Sequence, residues 1–268
     1  MNPIIDTHAH LNFKDFEPDI DQVISRCLEN NISVINVGSE YITSKRSVEM
    51  AELYNEGLYV SVGLHPSHVT NDLVKPKEDH RVEVFDYNKY KELALSNKVV
   101  AIGETGLDYY YKPKDKDKIN EFKAKQKEAL IGQMDLADEL GLPNIFHCRM
   151  AHNDMFEILE SYRGNIRGVI HCFTGNLKEA QKYIELGLYL GFAGIMFKFD
   201  LREVIEKIPL DRVLVETDCP YLTPPLFKGR NEPLYIKEII KEIAQIRSDS
   251  VDNIERVTTE NAKKLFNI

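Results

Sequence analysis

Short β-branched or apolar runs recur along this chain, each followed by a stretch of helical period, and that alternation calls for a parallel sheet built from βα units. Eight runs are visible: Pro3 to Asp6, Ser33 to Val37, Leu58 to Gly63, Lys98 to Gly103, Asn144 to His147, Gly168 to His171, Leu188 to Phe192 and Arg212 to Glu216. Eight strands with helices between them close into a barrel more readily than they stay open. The expected fold is therefore α/β, a single (β/α)8 TIM barrel over residues 1 to 268. The length suits it, since such barrels run to roughly 250 residues.

The intervening helices are predicted at Asp19 to Asn31, Thr43 to Glu56, Asn88 to Ser96, Ile119 to Leu140, Asn153 to Tyr162, Leu177 to Leu186, Leu201 to Lys207 and Pro233 to Arg247. A last one, Val251 to Asn267, is placed to close the barrel floor or side. Gly57, Gly141 and Gly187 stand between a helical stretch and a strand, where a left-handed C-terminal cap is expected. Two connections are long, His65 to Asn88 and Thr105 to Lys118, and both follow strands, on the face where barrel enzymes build active sites. The second holds YYYKPKDKDK, which reads first as a solvated loop and second as a basic patch with stacking faces beside the mouth.

No apolar run approaches the roughly 20 residues that span a bilayer, and MNPIIDTHAH lacks the basic flank and apolar stretch of a signal peptide. A cytoplasmic protein with no membrane partner is expected. Cys27, Cys148, Cys172 and Cys219 form no CxxC pair and read as reduced, buried thiols. With 34 basic against 43 acidic residues the chain lacks the basic footprint of a protein that grips long duplex. Any phosphate must be met locally, and bound cations are one way to do so.

The chemistry gathers at the strand ends. His8 and His10 are two apart at the end of the first strand, so both side chains point one way and can converge on one ion. Glu104 follows the fourth strand, His147 and His171 end the fifth and sixth, and Asp218 follows the eighth. Imidazoles and carboxylates in this mixture suit zinc or manganese, and carboxylate with water suits magnesium. His147 or His171 alone reads as a buried core residue, but six candidate ligands at one end of one barrel do not. Two clusters sharing Glu104 would hold two divalent ions roughly 3.5 to 4 Å apart, a clamp for both oxygens of a phosphoryl displacement.

The motifs DTHAH, VGLHP, GETGLDYY, FHCR, HCFTG, ETDCPYL and GRNEP follow one another in an order and spacing that resemble the TatD-type deoxyribonucleases, among the amidohydrolase-like barrel hydrolases. The resemblance covers Asp6 to about Pro233. It implies a divalent-metal-dependent nuclease hydrolysing phosphodiester bonds of DNA, with His8, His10 and Asp218 on one metal, Glu104 as bridge, and His147 and His171 on the other. It also sets His65 and Arg149 against the substrate phosphate. Thr105 and Met150 depart from the family pattern without removing a ligand.

On this reading a water made acidic by the ions loses its proton with help from Asp218 and attacks phosphorus, while Arg149 and His65 hold the non-bridging oxygens. Lys198 is a further candidate for a phosphate. Phe13, Tyr109, Tyr110 and Phe173 offer ring faces for an unpaired base, although packing is the commoner role of such residues. The acidic balance suits single-stranded or frayed ends, hence exonuclease-like cleavage. The alternatives are a barrel hydrolase of an ester or amide and a non-catalytic metal-binding barrel.

Overall fold

The strands bury side chains on both faces, one set beneath the helices and one inside the ring of strands. The computed structural model describes residues 3–74 and 82–268. In chain order the elements are β1 (Ile4–Ala9), α1 (Ile20–Glu29), β2 (Ile32–Val37), α2 (Tyr41–Ala51), β3 (Leu58–Val62), α3 (Pro66–Val74), α4 (Tyr87–Ala94), β4 (Val99–Asp108), α5 (Lys116–Leu140), β5 (Asn144–Arg149), α6 (His152–Ser161), β6 (Gly168–Ile170), α7 (Leu177–Glu185), β7 (Tyr189–Phe192), α8 (Arg202–Lys207), β8 (Val213–Val215), α9 (Ile236–Arg247) and α10 (Val251–Phe266). The strands pair in parallel in sequence order, β1 through β8. Closure comes just beyond β8, where Ala9 bridges Cys219, the Asp218 N–H donates to the His8 carbonyl at 2.9 Å and the His10 N–H to the Cys219 carbonyl at 2.8 Å. The expected barrel is observed.

Outward-facing strand residues such as Val34, Val60, Phe146, Ile170 and Val213 pack beneath the helices. Inward residues, among them Ile5, Ile35, Val37, Ile145, Val169 and Leu214, form a second core with Ala262, Leu265 and Phe266 of α10. The last helix is thus the barrel floor, pinned by the Asn261 side-chain amide donating to the Leu210 and Val213 carbonyls at 2.9 and 2.8 Å. Full burial of a side chain the size of Phe266 contributes about 1.5–3 kcal/mol.

Two expectations are corrected. The connection predicted from Thr105 starts later, because β4 runs on to Asp108: Thr105 to Asp108 pair in register with Phe146 to Arg149. The stretch looks loop-like because it carries Gly106 and Asp108 just after Glu104, and both acids face His147 at the open mouth of the barrel, where a strand need not be apolar. The 65–88 connection contains α3, which Pro66 opens in the position where a missing N–H costs nothing, and which buries Val69 and Thr70. Its stretch 75–81 lies outside the described residues. Gly57, Gly141 and Gly187 all have positive φ (79°, 66° and 86°), as their places require, although α2 ends well before Gly57. Among the described residues no helix is long and apolar enough to cross a membrane.

Candidate metal centre

Glu104 is the middle of the site. The β4 ladder is irregular on both sides, between Val60 and Ser61 against β3 and between Ile102 and Thr105 against β5. A local break of that kind re-aims a side chain, and here the Glu104 carboxylate lies across the barrel mouth, 4% exposed. Its Oε1 is 2.8 Å from His147 Nδ1, 2.9 Å from His171 Nε2 and 3.4 Å from His65 Nε2. Its Oε2 faces His8 Nε2 at 3.5 Å and His10 Nε2 at 3.8 Å.

The histidines come in two close pairs. His8 and His10 bring their Nε2 atoms to 3.2 Å, and His147 Nδ1 lies 3.3 Å from His171 Nε2. Two nitrogens on one tetrahedral zinc are about 3.3 Å apart, given Zn–N bonds of about 2.0–2.1 Å. The donor set fits a divalent ion at each pair, with Glu104 offering one oxygen to each. His10 Nδ1 donates to the Val37 carbonyl at 2.9 Å, which leaves its Nε2 lone pair for the centre. The buried His8 Nδ1 has no hydrogen-bond partner among the described residues. Asp218, in left-handed backbone at φ 54°, presents Oδ1 at 3.5 Å from His10 Nε2 and 3.8 Å from His8 Nε2.

Electrostatics follow from packing charges in a dry place. Burial opposes ionisation of Glu104, but the neighbouring His65 and His171 charges and the hydrogen bonds from His147 and His171 outweigh it and hold the carboxyl well below its ordinary value. Burial likewise works against Asp218, and His10, His171 and His8 lower it on balance. His8 is lowered chiefly by burial and then by the His171 charge. For His10, His147 and His171 burial also pulls down, yet their carboxylate partners raise all three.

The six residues predicted as ligands converge here. His65 stands one step out: its Nδ1 accepts from the Ser67 N–H at 3.1 Å, so the proton is on Nε2 and points at Glu104. Burial lowers its pKa against the pull of Glu104. Arg149 is exposed, and its guanidinium lies 3.7 Å from the Tyr110 ring centroid. It lines a cavity of about 250 Å³ together with His147, His171, Cys172, Phe199 and Asp218.

Other expectations do not survive. Cys172, expected as a buried thiol, is only half-buried: β6 ends at Ile170, and Cys172, at a left-handed φ of 45°, lines the wall of that cavity beside Cys148. Cys27, Cys148 and Cys219 are buried, as expected. Phe173 is 1% exposed and packed on Tyr183 and Phe192, and Tyr109 is 6% exposed with its hydroxyl donating to Asp154 at 2.8 Å, so neither offers a face. Phe13 is stacked on His10, and Lys198 lines the neighbouring cleft. Only Tyr110 of the four keeps an exposed ring.

Three carboxylates were not anticipated. Asp108 Oδ2 is 3.2 Å from His147 Nε2, Glu216 Oε1 is 3.3 Å from His171 Nδ1, and Asp6 accepts from Thr217 and the His8 N–H below the site. Burial drives the Asp6 carboxyl up to about 7. The same two-residue spacing that pairs His8 with His10 also pairs Asp6 with His8 and Glu216 with Asp218, which is the signal that would have found two of them.

The chain matches the family model described as TatD related DNase over residues 5–267. It is 39% identical over 271 residues to the metal-dependent hydrolase YabD of Bacillus subtilis, covering 99% of each chain. It is 31% identical over 276 residues to the 3'-5' ssDNA/RNA exonuclease TatD of Pantoea ananatis, covering 99% of this chain and 100% of that one. The crystal structure of YjjV, a TatD homolog from Escherichia coli, superposes with a TM-score of 0.82 at 29% identity, over 99% of this chain and 98% of that one.

Proposed function

The chain belongs to the TatD-related DNase family, and from that premise we propose that it is a divalent-metal-dependent nuclease that hydrolyses phosphodiester bonds of single-stranded or frayed DNA from an end. A metal-dependent hydrolase of this family needs a centre that holds its ions close together. The observation that carries the reading is Glu104, with one oxygen turned to each histidine pair.

His8, His10 and Asp218 would hold one ion and His147 and His171 the other, with a Glu104 oxygen available to each. Divalent cations bound there, zinc, magnesium or manganese, would supply Lewis-acid polarisation of the phosphate and neutralise the charge that develops on it. The chain's own residues do the rest. Asp218, kept ionised by three histidines, accepts the proton of the attacking water. His65 donates from Nε2 to a phosphate oxygen, and Arg149 adds the planar fork that pairs bidentately with such oxygens.

The cavity of about 250 Å³ is smaller than the roughly 300–1,000 Å³ of drug-sized ligand sites, so it suits a terminal unit and not a duplex. The four unpaired thiols suit a reducing compartment, the cytoplasm. The test is a comparison of linear and covalently closed circular single-stranded DNA under one metal. Digestion of the linear form alone is expected. Equal cleavage of the circle overturns the end requirement, and faster hydrolysis of a carboxylic ester or amide than of either DNA overturns the nuclease.

A further inference from the structure

We propose that the lysine-bearing stretch formed by the loop after β4 and the first turn of α5 is the track on which the unreacted part of a single-stranded DNA substrate lies, reached from the metal centre across the Arg149–Tyr110 stack. The proposal rests on the nuclease reading above and names the path its substrate takes.

Arg149 lines the cavity at the metal centre, and its guanidinium sits on the Tyr110 ring. Tyr110 in turn lines a second, open cleft of about 500 Å³ with Tyr111, Lys112, Lys114 and Lys118. The two hollows thus meet at one stacked pair. Tyr110 and Tyr111 are 48% and 62% exposed, with ring centroids 4.6 Å apart, edge to face. Exposed rings beside cations are the two elements of a single-strand groove, since bases stack on the rings and phosphates follow the charges.

The charge is what sets this loop apart. In a chain of net charge −9, Lys112, Lys114 and Lys118 are exposed and make no ion pair among the described residues. Further along α5 the lysines are committed: Lys123 and Lys127 to Asp154, and Lys125 to Asp72 and Glu121. The acid in the cleft lining, Asp115, is engaged in capping α5 through the Asp117 N–H at 3.0 Å. A second cleft that adjoins the cavity, at Phe199, sets Lys198 and Arg202 against Asp200 and Glu242 and is nearly neutral. A polyanion leaving the mouth is drawn to the lysine side.

The test compares wild-type enzyme with the triple variant Lys112→Ala/Lys114→Ala/Lys118→Ala on a DNA dinucleotide and on a single strand of about 16 nucleotides, a length that overfills a small single-strand site. The KM for the longer strand is expected to rise about tenfold with kcat held, and the slope of log affinity against log salt to fall by about 2, from about 0.7 per lost phosphate contact. Turnover of the dinucleotide, too short to reach the loop, should stay within about twofold, and the triple Lys→Arg variant should restore the wild-type KM. Unchanged KM and salt slope on the longer strand overturn the track, as does an equal loss on both substrates. A wild-type enzyme that cleaves neither DNA overturns the nuclease reading itself, and the track with it.

Discussion

Asp108 holds His147 from behind: its Oδ2 lies 3.2 Å from His147 Nε2, while Nδ1 of the same ring faces Glu104 at 2.8 Å. A carboxylate so placed fixes the ring and raises its basicity towards an ion, and losing such a partner typically weakens metal affinity about 10- to 100-fold. Asp108→Ala should weaken binding of one ion by that factor and leave the other near its wild-type affinity, measured by competition with a chromophoric chelator. Unchanged affinity at both sites would remove Asp108 from the centre.

Gly106 follows two residues after Glu104, at φ 146°, and an added Cβ would lie 1.9 Å from the His147 carbonyl oxygen. The three nearest atoms all belong to the His147 backbone, so no flexible side chain is there to yield. Gly106→Ala should cost about 3 kcal/mol in urea unfolding, from strain and overpacking together, and a change below about 1 kcal/mol would show that β4 and β5 can separate freely here.

Arg230 ties the loop after β8 to the loop after β1. Its guanidinium makes a bidentate pair with Asp19 at 2.7 and 2.8 Å, donates to Glu232 and lies 4.2 Å from the Phe16 centroid. The Arg230 hydrogen bonds lower the Asp19 pKa. A carboxyl depressed in the folded state stabilises it above the unfolded value, about 3.9, and that contribution disappears as pH falls through the lower folded value. Arg230→Ala should therefore cost roughly 2 kcal/mol at pH 7, and the gap from wild type should narrow below about pH 4. A gap constant with pH would assign the effect to the stack on Phe16.

Much of this fold is legible in the sequence. The apolar alternation predicts all eight strands because each strand has a wholly buried outer face, and the ligands stand out because histidines and acids are rare at the ends of such runs. What stayed hidden was polar structure inside the mouth. Thr105 to Asp108 read as loop because a strand that lines a metal centre loses its apolar pattern, and α3 was masked by the polar residues around it. Cys172 reads as a buried thiol because no residue type announces that β6 ends at Ile170 and that the backbone then turns left-handed.

Burial pushes the Cys27 and Cys148 thiols up to about 12. Neither carries appreciable thiolate at pH 8, and thiolate is the reactive form. The folded protein should leave both unmodified by a thiol-specific disulfide reagent over the time in which urea-unfolded chain reacts at all four cysteines. Prompt modification of Cys27, mapped by peptide mass, would mean that α1 opens locally.

On the proposed function, Glu104 joins two ion sites into one catalytic centre. The direct test is hydrolysis of end-labelled single-stranded DNA by metal-stripped protein resupplied with magnesium, manganese or zinc, beside Glu104→Ala and Asp218→Ala. Activity restored by metal in the wild type and lost by at least about 1,000-fold in both variants is the predicted result, the scale of removing an essential charge-stabilising group. Metal-loaded wild type that leaves the DNA intact, or a Glu104→Ala variant that still cuts, would contradict it.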